Sequence, residues 1–329
     1  MPRLLIYAPS YRRLAAEIDA VPGVTPLLME DDGSVSEDGR ILAPEEIRAD
    51  CAWTNGEVWN GLASRAFGIA VLKAEGLQWL QSGAAGFDNP IFGKVVSRGV
   101  RLTTSHGQAL GMAEYVLAGV LDHFQRGPER RAAQGEKAWR RIAFREVLDS
   151  RWLILGFGAI GQAVAERAKG FGAKITAVRR DQTPHPLVER IAPMGEVAGL
   201  LPDADVVVLC TPLTADTRHM VDADFLAAMK PGSVLVNVGR GGLVDEPALL
   251  AALDRGAPAH AVLDVFETEP LPEDSPFWTH PRVAMTPHAS GITDGQNRRN
   301  DALFLENLRR FAAGEPLLHE AKPADVLAG

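Results

Sequence analysis

Three glycines at fixed spacing constrain the fold of this chain more than any other feature. Gly156, Gly158 and Gly161 form the pattern G-x-G-x-x-G between the apolar run Trp152–Leu155 and an alanine-rich segment with helical character. In that context the first glycine permits a tight turn, the second lets the backbone approach a pyrophosphate, and the third lets the helix pack closely on the strand. An ordinary strand–helix turn is the alternative. The flanking pattern favours a dinucleotide site in which the amides of the helix N-terminus face the phosphates.

Short apolar runs alternate with helical segments along the chain, which is typical of parallel βαβ units. The predicted strands are Leu4–Ala8, Cys51–Thr54, Leu77–Gln81, Trp152–Leu155, Lys174–Val178, Val206–Cys210, Val234–Val238, Ala261–Val265 and Val283–Thr286. Helical spacing predicts helices over 13–20, Ala109–Phe124 and Asn300–Ala312. The second of these is almost wholly apolar, so we expect it at a domain interface or at the interface of a homodimer.

A length of 329 residues accommodates two domains of ordinary size. We expect a substrate domain formed by residues 1–104 and 293–329, and a dinucleotide-binding domain formed by residues 105–292. The last predicted helix would then return to the first domain and make it discontinuous.

Charge and cysteine content narrow the class of protein. The formal net charge is -8 at pH 7, which repels phosphate backbones and anionic lipid surfaces. We interpret the basic stretch over residues 126–145 as a solvated helical face, because it lacks regularly interleaved aromatic residues. Cys51 and Cys210 are the only cysteines, too few for a disulfide framework. With no signal-peptide core, no run of about 20 apolar residues and no His/Cys/Asp cluster at ligand spacing, we expect a cytoplasmic protein without nucleic-acid, membrane or metal partners.

The end of the strand after the glycine turn indicates which nicotinamide cofactor is preferred. An acidic residue at this point accepts hydrogen bonds from the adenosine ribose and repels a 2′-phosphate. Here Arg179 and Arg180 stand in that place, and guanidinium groups suit a phosphate in charge and geometry. The sequence therefore predicts NADP, with NADPH preferred over NADH. The alternative is that both arginines point to solvent and Asp181 acts as the ribose-binding acid.

Further motifs extend across nearly the whole chain. They are Gln78–Gly83, Gly111–Tyr115, Cys210–Thr214, Asn237–Asp245, Asp264–Pro272 and Thr286–Gly291. In order and spacing the last four resemble the signatures of the D-isomer-specific 2-hydroxyacid dehydrogenases, and the first two resemble the glyoxylate/hydroxypyruvate reductase branch. The resemblance implies an α/β fold of two parallel-sheet domains, Rossmann-like and flavodoxin-like, with a cleft between them.

The resemblance also implies a catalytic trio of Arg240, Glu269 and His288. Reduction of a 2-keto acid leaves an oxygen that must gain a proton, and the ordinary pKa of histidine lies near neutrality. Glu269 would orient and stabilise the imidazolium of His288, while Arg240 would hold the substrate carboxylate and the developing alkoxide. By composition alone Glu267 is an equally good carboxylate, and only the family pattern selects Glu269.

Other site residues follow from the same resemblance. Backbone amides of Gly83, Ala84, Ala85 and Gly86 would bind the substrate carboxylate, together with Arg240 and His288. Trp53 either walls the pocket or lies in the core, and His106 either reaches the pocket or lies at a hinge. Asp264 would bind the nicotinamide carboxamide. The full cofactor set is Gly156, Gly158, Ala159, Ile160, Gly161, Arg179, Arg180, Thr211, Pro212, Thr217, Val238, Gly239, Asp264, Ser290 and Gly291.

These observations predict an oxidoreductase that transfers a hydride between NADP(H) and C2 of a small 2-keto or 2-hydroxy acid. Glyoxylate and hydroxypyruvate are the expected substrates, with bulkier keto acids as an alternative. A nucleotide-sensing binding protein of the corepressor type is a second hypothesis, but the complete trio favours chemistry. Formate-oxidising relatives typically carry Gln where Glu269 stands, which disfavours that reaction.

Overall fold

The computed structural model of this chain describes residues 1–87 and 89–327. It divides into two compact units. Unit 1 comprises Met1–Gly107 and Asp294–Gly329, and unit 2 comprises Gln108–Thr293. These bounds differ by one to three residues from those expected from the sequence. Helices and strands are numbered below along the whole chain.

Unit 1 is built on a seven-stranded sheet with the order β4-β3-β2-β1-β5-β6-β7. Its strands are β1 (Arg3–Tyr7), β2 (Thr25–Met29), β3 (Val35–Glu37), β4 (Arg40–Ile41), β5 (Cys51–Thr54), β6 (Trp79–Ser82) and β7 (Arg101–Thr103). The five strands from β2 to β7 in this order are parallel, and β3 and β4 add an antiparallel edge. The order of the parallel strands is that of flavodoxin-like folds, in which the direction of strand addition along the sheet reverses between β1 and β5.

Helices cover both faces of this sheet. They are α1 (Ala8–Asp19), α2 (Gly56–Asn60), α3 (Ser64–Lys73), α4 (Pro90–Val96), α11 (Gln296–Ala313) and α12 (Pro323–Leu327). Phe67 and Phe92 fill the core on one face, while Trp53, Trp79 and Phe304 fill it on the other. Because β5 and β6 are buried on both faces, their sequences read as continuous apolar runs.

Unit 2 is built on a fully parallel sheet of seven strands with the order β10-β9-β8-β11-β12-β13-β14. Its strands are β8 (Arg151–Leu155), β9 (Lys174–Val178), β10 (Arg190–Ala192), β11 (Val206–Leu209), β12 (Val234–Asn237), β13 (His260–Leu263) and β14 (Val283–Met285). The chain leaves β8 in one direction to β9 and returns to its other side at β11. The carboxyl ends of β8 and β11 therefore form the switch point at which doubly wound sheets bind their ligands.

The helices of unit 2 are α5 (Ala109–Phe124), α6 (Gly127–Gly135), α7 (Ala159–Gly170), α8 (Val197–Leu200), α9 (Ala223–Ala228) and α10 (Glu246–Arg255). Helices α5 and α7 share one core with one face of the sheet, to which α5 contributes Val116 and Val120. Helix α10 begins after Asp245, whose side chain accepts the N–H of Ala248, and ends at Gly256 with φ +82°. This cap fixes where the first turn of α10 meets the loops at the edge of the sheet.

The prediction of two parallel-sheet α/β domains is confirmed. Strands β2, β3, β4, β7 and β10 were not predicted, since they are short or interrupted by proline and charge. The expectation of one solvated helical face over residues 126–145 is wrong beyond α6, where the chain continues to residue 149 without a helix. Lys137 takes a left-handed φ of +54°, which ends the helix. At the far end of the stretch Arg145 packs on the ring of Phe124 and pairs with Asp205. None of the helices among the described residues is long and apolar enough to cross a membrane.

Candidate active site

The carboxyl edge of the sheet in unit 2 carries most of the predicted site residues. In a parallel sheet all strands end at the same edge, so loops distant in sequence become neighbours there. The loop after β8 carries the glycine turn, and the loop after β9 carries Arg179 and Arg180. The loops after β12, β13 and β14 carry Arg240, Glu269 and His288 respectively.

The glycine turn has the geometry expected of a phosphate-binding loop. Gly156 has φ +94°, and a Cβ there would lie 2.5 Å from the carbonyl oxygen of Cys210. A Cβ at Gly161 would lie 2.2 Å from the carbonyl oxygen of Gly156, so only glycine lets α7 start this close to the strand. At Gly158 a Cβ would meet no atom within 4 Å, which leaves open space beside the first turn of α7. The residues therefore fit the pyrophosphate of a dinucleotide at a helix N-terminus.

Arg179 is held in place at the end of β9. Its Nη2 donates to the carbonyl oxygen of Thr183 at 2.6 Å, its Nε donates to the carbonyl oxygen of Asp181, and its guanidinium lies 5.8 Å from the ring centre of Phe157. Arg180 is exposed. The carboxylate of Asp181 accepts the N–H and the hydroxyl of Thr183 at 3.0 and 2.7 Å. These bonds hold the pKa of Asp181 below its ordinary value and engage the carboxylate in its own turn. Such a turn weakens the alternative in which Asp181 binds ribose.

His288 and Glu269 form a direct pair. The Nδ1 of His288 lies 2.8 Å from Oε2 of Glu269, and the other carboxylate oxygen accepts the N–H of Phe266 at 2.9 Å. His288 adopts a left-handed φ of +52°, with its N–H donating to the carbonyl oxygens of Asp264 and Thr286. The imidazole is half exposed, so the carboxylate fixes one nitrogen while the ring remains accessible. That arrangement suits a proton donor whose orientation is fixed by a neighbouring carboxylate.

Asp264 directly follows β13, and its carboxylate has several partners within the protein. It is 1% exposed, and its Oδ1 accepts the hydroxyl of Thr286 at 2.6 Å and the N–H groups of Ala289 and Ser290 at 2.8 and 2.9 Å. Its Oδ2 accepts the hydroxyl of Ser290. Both oxygens are thus engaged within the protein, and the predicted contact with a nicotinamide carboxamide stays a prediction. The structure assigns Asp264 to anchoring the turn that carries His288.

Arg240 lies in the glycine-rich loop after β12. The side chain of Asn237 accepts the N–H of Gly239 at 3.0 Å and donates to the carbonyl oxygen of Arg240 at 2.9 Å. A Cβ at Gly241 would lie 1.8 Å from the carbonyl carbon of Phe266, so this loop packs backbone to backbone against the segment that leads to Glu269. The guanidinium of Arg240 folds back to its own loop, where Nη1 donates to the carbonyl oxygen of Gly239 at 2.7 Å. The position of Arg240 is thereby tied to that of the Glu269 loop.

Several other predicted cofactor residues have structural partners of their own. Val238 is 1% exposed and its side chain packs in the core, while its predicted cofactor contact stays a prediction. Gly239 and Ser290 are also buried. The hydroxyl of Thr217 donates to the carbonyl oxygen of Pro212 at 2.8 Å, which closes the loop after β11 and leaves Pro212 exposed. In the glycine turn Ala159 and Ile160 are half-buried, as are Thr211 and Gly291 in their loops.

In unit 1 the predicted carboxylate-binding turn follows β6. The N–H of Gly83 donates to the carbonyl oxygen of Thr54 at 2.6 Å, and the N–H of Ala84 donates to the hydroxyl of Ser82 at 3.0 Å. Both amides thus donate within the unit, and the predicted role of Gly83 and Ala84 in binding the substrate carboxylate stays a prediction. Among the described residues, none accepts a hydrogen bond from the amides of Ala85 and Gly86.

Trp53 is a core residue and not a pocket wall. It is 1% exposed, and its indole stacks on Phe304 with a centroid separation of 4.0 Å and an interplanar angle of 4°. The pocket assignment fails because its side chain faces the apolar layer beneath α11. His106, at the end of this part of unit 1, packs edge-on against His319 at 4.5 Å. Burial lowers the pKa of His106, and the neighbouring imidazole adds to the shift.

Sequence reasoning missed residues that act behind the trio. Tyr115 of α5 donates to the carbonyl oxygen of Leu263 at 3.0 Å, directly before Asp264. Burial raises the pKa of Tyr115 to about 12, which keeps its hydroxyl a donor. Glu246 accepts the N–H of Glu267 at 2.7 Å. The motif Gly111–Tyr115 includes Tyr115, but only contacts between distant segments show these hydrogen bonds. Among the described residues no group of three or more potential ligands could hold a metal ion.

Comparison with known proteins identifies relatives of this chain. Residues 117–290 match the family described as the D-isomer specific 2-hydroxyacid dehydrogenase, NAD binding domain. An (S)-sulfolactate dehydrogenase of Chromohalobacter salexigens is 38% identical over 64% of this chain and 69% of its own length. A glyoxylate/hydroxypyruvate reductase A of Serratia proteamaculans is 36% identical over 68% of this chain and 70% of its own length.

A solved structure resembles this chain over almost its full length. The NADPH-dependent glyoxylate/hydroxypyruvate reductase of Sinorhizobium meliloti, in complex with NADP and sulfate, has a TM-score of 0.77 and 25% identity. The match covers 99% of this chain and 100% of that one. The resemblance predicted from the sequence motifs is thereby confirmed.

Proposed function

The chain belongs to the D-isomer-specific 2-hydroxyacid dehydrogenase family, and we propose that it reduces a small 2-keto acid with NADPH. The observation that carries this proposal is the pair formed by His288 and Glu269 at 2.8 Å, on loops that share a sheet edge with the glycine turn. A binding protein that only senses a nucleotide has no need for an imidazole oriented in this way.

NADPH is the proposed cofactor, and when bound its nicotinamide supplies the hydride. Gly156, Gly158 and Gly161 would hold the pyrophosphate at the start of α7. Arg179 and Arg180 would hold the 2′-phosphate, because guanidinium groups bind phosphate by charge and by paired N–H donors. The fixed position of Arg179 and the engaged carboxylate of Asp181 support this preference. The reductase from Sinorhizobium meliloti was solved with NADP.

Residues of this chain would bind the substrate, stabilise the developing charge and donate the proton. Arg240 would bind the substrate carboxylate and stabilise negative charge on the carbonyl oxygen. His288 would donate a proton from Nε2 to that oxygen, because Nδ1 is engaged with Glu269. Glu269 would favour the protonated imidazole by its charge. Asp264 would hold the His288 turn, and the amides of Ala85 and Gly86 would add donors for the carboxylate.

Glyoxylate and hydroxypyruvate are the proposed substrates, by analogy with the reductase relatives. A second candidate is a sulfonated 2-hydroxy acid, because the relative with 38% identity is named for sulfolactate. Both candidates carry a carboxylate next to the reacting carbon, so the same trio serves either. They differ in size and charge at the third carbon.

We also propose a cytoplasmic homodimer. The apolar character of α5, from which a dimer was expected, is explained by packing against α7 within unit 2. Support comes instead from the segment after α6, where Trp139 is 97% and Phe144 53% exposed. Two unpaired thiols, Cys51 and Cys210, agree with a reducing compartment. A monomeric mass at micromolar concentration in light scattering would contradict the dimer, and recovery outside the cytosol on cell fractionation would contradict the location.

The first experiment measures NADPH and NADH oxidation at 340 nm with glyoxylate, hydroxypyruvate, sulfopyruvate and a bulkier keto acid. We expect turnover with a small keto acid, at least about tenfold better in kcat/KM with NADPH, the scale of one lost charge-assisted contact. Arg179→Ala should remove most of that preference, while Arg190→Ala, at a surface pair with Glu196, should keep it. Preference for NADH would refute the assignment of Arg179. Tight NADPH binding without turnover of any acid would favour the binding-protein hypothesis.

A further inference from the structure

A second histidine–carboxylate pair lies beside the one described above. The Nε2 of His219 lies 2.8 Å from Oε1 of Glu267, and Arg218 approaches the same oxygen at 4.0 Å. Glu267 and Glu269 are two residues apart on one loop, and their carboxylates go to two different imidazoles. The carboxylate that the sequence offered as an alternative to Glu269 therefore has a separate partner.

His219 also holds the loop of Arg240 through its backbone. Its N–H donates to the carbonyl oxygen of Gly242 at 2.8 Å, and the N–H of Val221 donates to the carbonyl oxygen of Leu243 at 3.0 Å. His219 adopts a left-handed φ of +51°, which is uncommon for a residue other than glycine. His219 thus forms a hydrogen bond to the Arg240 loop with its backbone and to the Glu269 loop with its ring.

The Glu267 end of this pair is itself anchored. Glu246, in the first turn of α10, accepts the N–H of Glu267 at 2.7 Å. Burial raises the pKa of Glu246, and the charges of Glu267 and Glu269 raise it further. The segment between Phe266 and Glu269 is therefore fixed at both carboxylates and at its backbone. Movement of this segment would shift the Gly241 loop, because the two backbones are in contact.

We propose that His219 and Glu267 are positioning residues that hold Arg240 in register with the Glu269–His288 pair. This inference rests on the proposed function, in which Arg240 binds the substrate carboxylate. Without the imidazole of His219, the Arg240 loop loses its link to the Glu267 carboxylate, which Arg218 approaches only at 4.0 Å. A displacement of about 1 Å at a substrate-positioning group can cost about a hundredfold in rate.

The test compares His219→Ala, His219→Gln and Glu267→Gln with His280→Ala as a matched control. His280 pairs with Asp254 at 3.4 Å directly before β14, at the opposite edge of the sheet, so its loss removes a similar pair away from the site. In His219→Ala we expect KM for the keto acid to rise about tenfold, with the Kd for NADPH within about twofold of the wild type. Glutamine keeps a hydrogen-bond donor at this position, so KM in His219→Gln should be close to that of the wild type.

A second readout is amide hydrogen exchange of peptides that span residues 238–245. Exchange should be faster in His219→Ala and Glu267→Gln than in the wild type and His280→Ala. The double variant should add little to either single one, since the two residues act as a pair. This measurement needs no turnover, so it remains decisive if the proposed reaction is wrong.

The outcomes distinguish the role inferred for His219 and Glu267 from the proposed function. Unchanged exchange over 238–245 in His219→Ala would overturn the inference. Faster exchange with an unchanged KM would also overturn it, because the loop would then be held without consequence for the substrate. An equal rise in KM in His219→Gln and His219→Ala would indicate a purely structural role of His219 and would overturn the inference. A wild type without turnover of any keto acid would refute the proposed function, while the exchange data would still decide whether His219 holds this loop.

Discussion

Removal of the Asp264 carboxylate should release the turn that carries His288. That carboxylate accepts two backbone N–H groups, from Ala289 and Ser290, and two hydroxyls, from Thr286 and Ser290. In Asp264→Ala the hydroxyls can rotate to other partners, but the amides lose their acceptor. A buried unsatisfied amide costs about 1–3 kcal/mol. Since Ala289 is half-buried and water can reach it, we expect a total loss of about 3 kcal/mol in the free energy of unfolding.

The same change should affect catalysis through the backbone of His288. Its left-handed φ of +52° costs about 1–2 kcal/mol for a residue with a side chain, and the anchored turn sustains that cost. Once the anchor is lost, the imidazole no longer keeps its distance from Glu269. We expect kcat to fall by about a hundredfold, the scale on which general acid catalysis contributes.

Asp264→Asn provides the matched comparison. Its amide oxygen can take the place of Oδ1 and accept from Thr286, Ala289 and Ser290, while its NH₂ group donates to the hydroxyl of Ser290. We expect a loss of about 1 kcal/mol and partial activity, because the bonds remain but lose their charge. Urea unfolding gives the stability of each variant, and 340 nm turnover gives kcat. Equal stability of the wild type and both variants, with weakened NADPH binding, would refute the anchoring role and support a direct cofactor contact.

Three further predictions concern the glycine turn, a buried histidine and the core of unit 1. Gly161→Ala should lower both thermal stability and NADPH affinity, because its Cβ would lie 2.2 Å from a backbone oxygen. Gly158→Ala should keep the thermal stability and lose NADPH affinity, because its Cβ would meet no protein atom within 4 Å. Differential scanning fluorimetry measures the stability and fluorescence titration measures the affinity. Burial lowers the pKa of His260 from 6.5 to about 4, so between these values the unfolded chain binds more protons and the free energy of unfolding should fall with falling pH, by about 3 kcal/mol at 1.36 kcal/mol per pH unit. A urea midpoint that does not fall between pH 6.5 and pH 4.5 would contradict this. Trp53→Ala should cost about 3–5 kcal/mol through loss of the ring stacked on Phe304, without the large change in substrate KM that a pocket wall would give.

Local patterns in the sequence were sufficient for nine of the strands and for the glycine turn. Strand β5 and helix α5 have the bounds that the sequence predicted, since a continuous apolar run or a helical period is a property of neighbouring residues. The family motifs also placed Glu269 and His288, which the structure brings within 2.8 Å. Edge strands such as β4, with both residues exposed, carry no such pattern and were missed.

The partners of buried polar groups were decided only by tertiary structure. Asp264 and the turn residues that it anchors are 22 to 26 positions apart, and His219 is 48 positions from Glu267. Nothing in their local sequence distinguishes an anchor from a ligand contact, because a carboxylate at a strand end can do either. The sequence alone determined the fold class and the dinucleotide turn, since those depend on residue type and spacing, while the family resemblance selected Glu269 and His288. Which side chains face a ligand and which hold the loops depends on contacts across the sheet edge, and these exist only once the strands have taken their order.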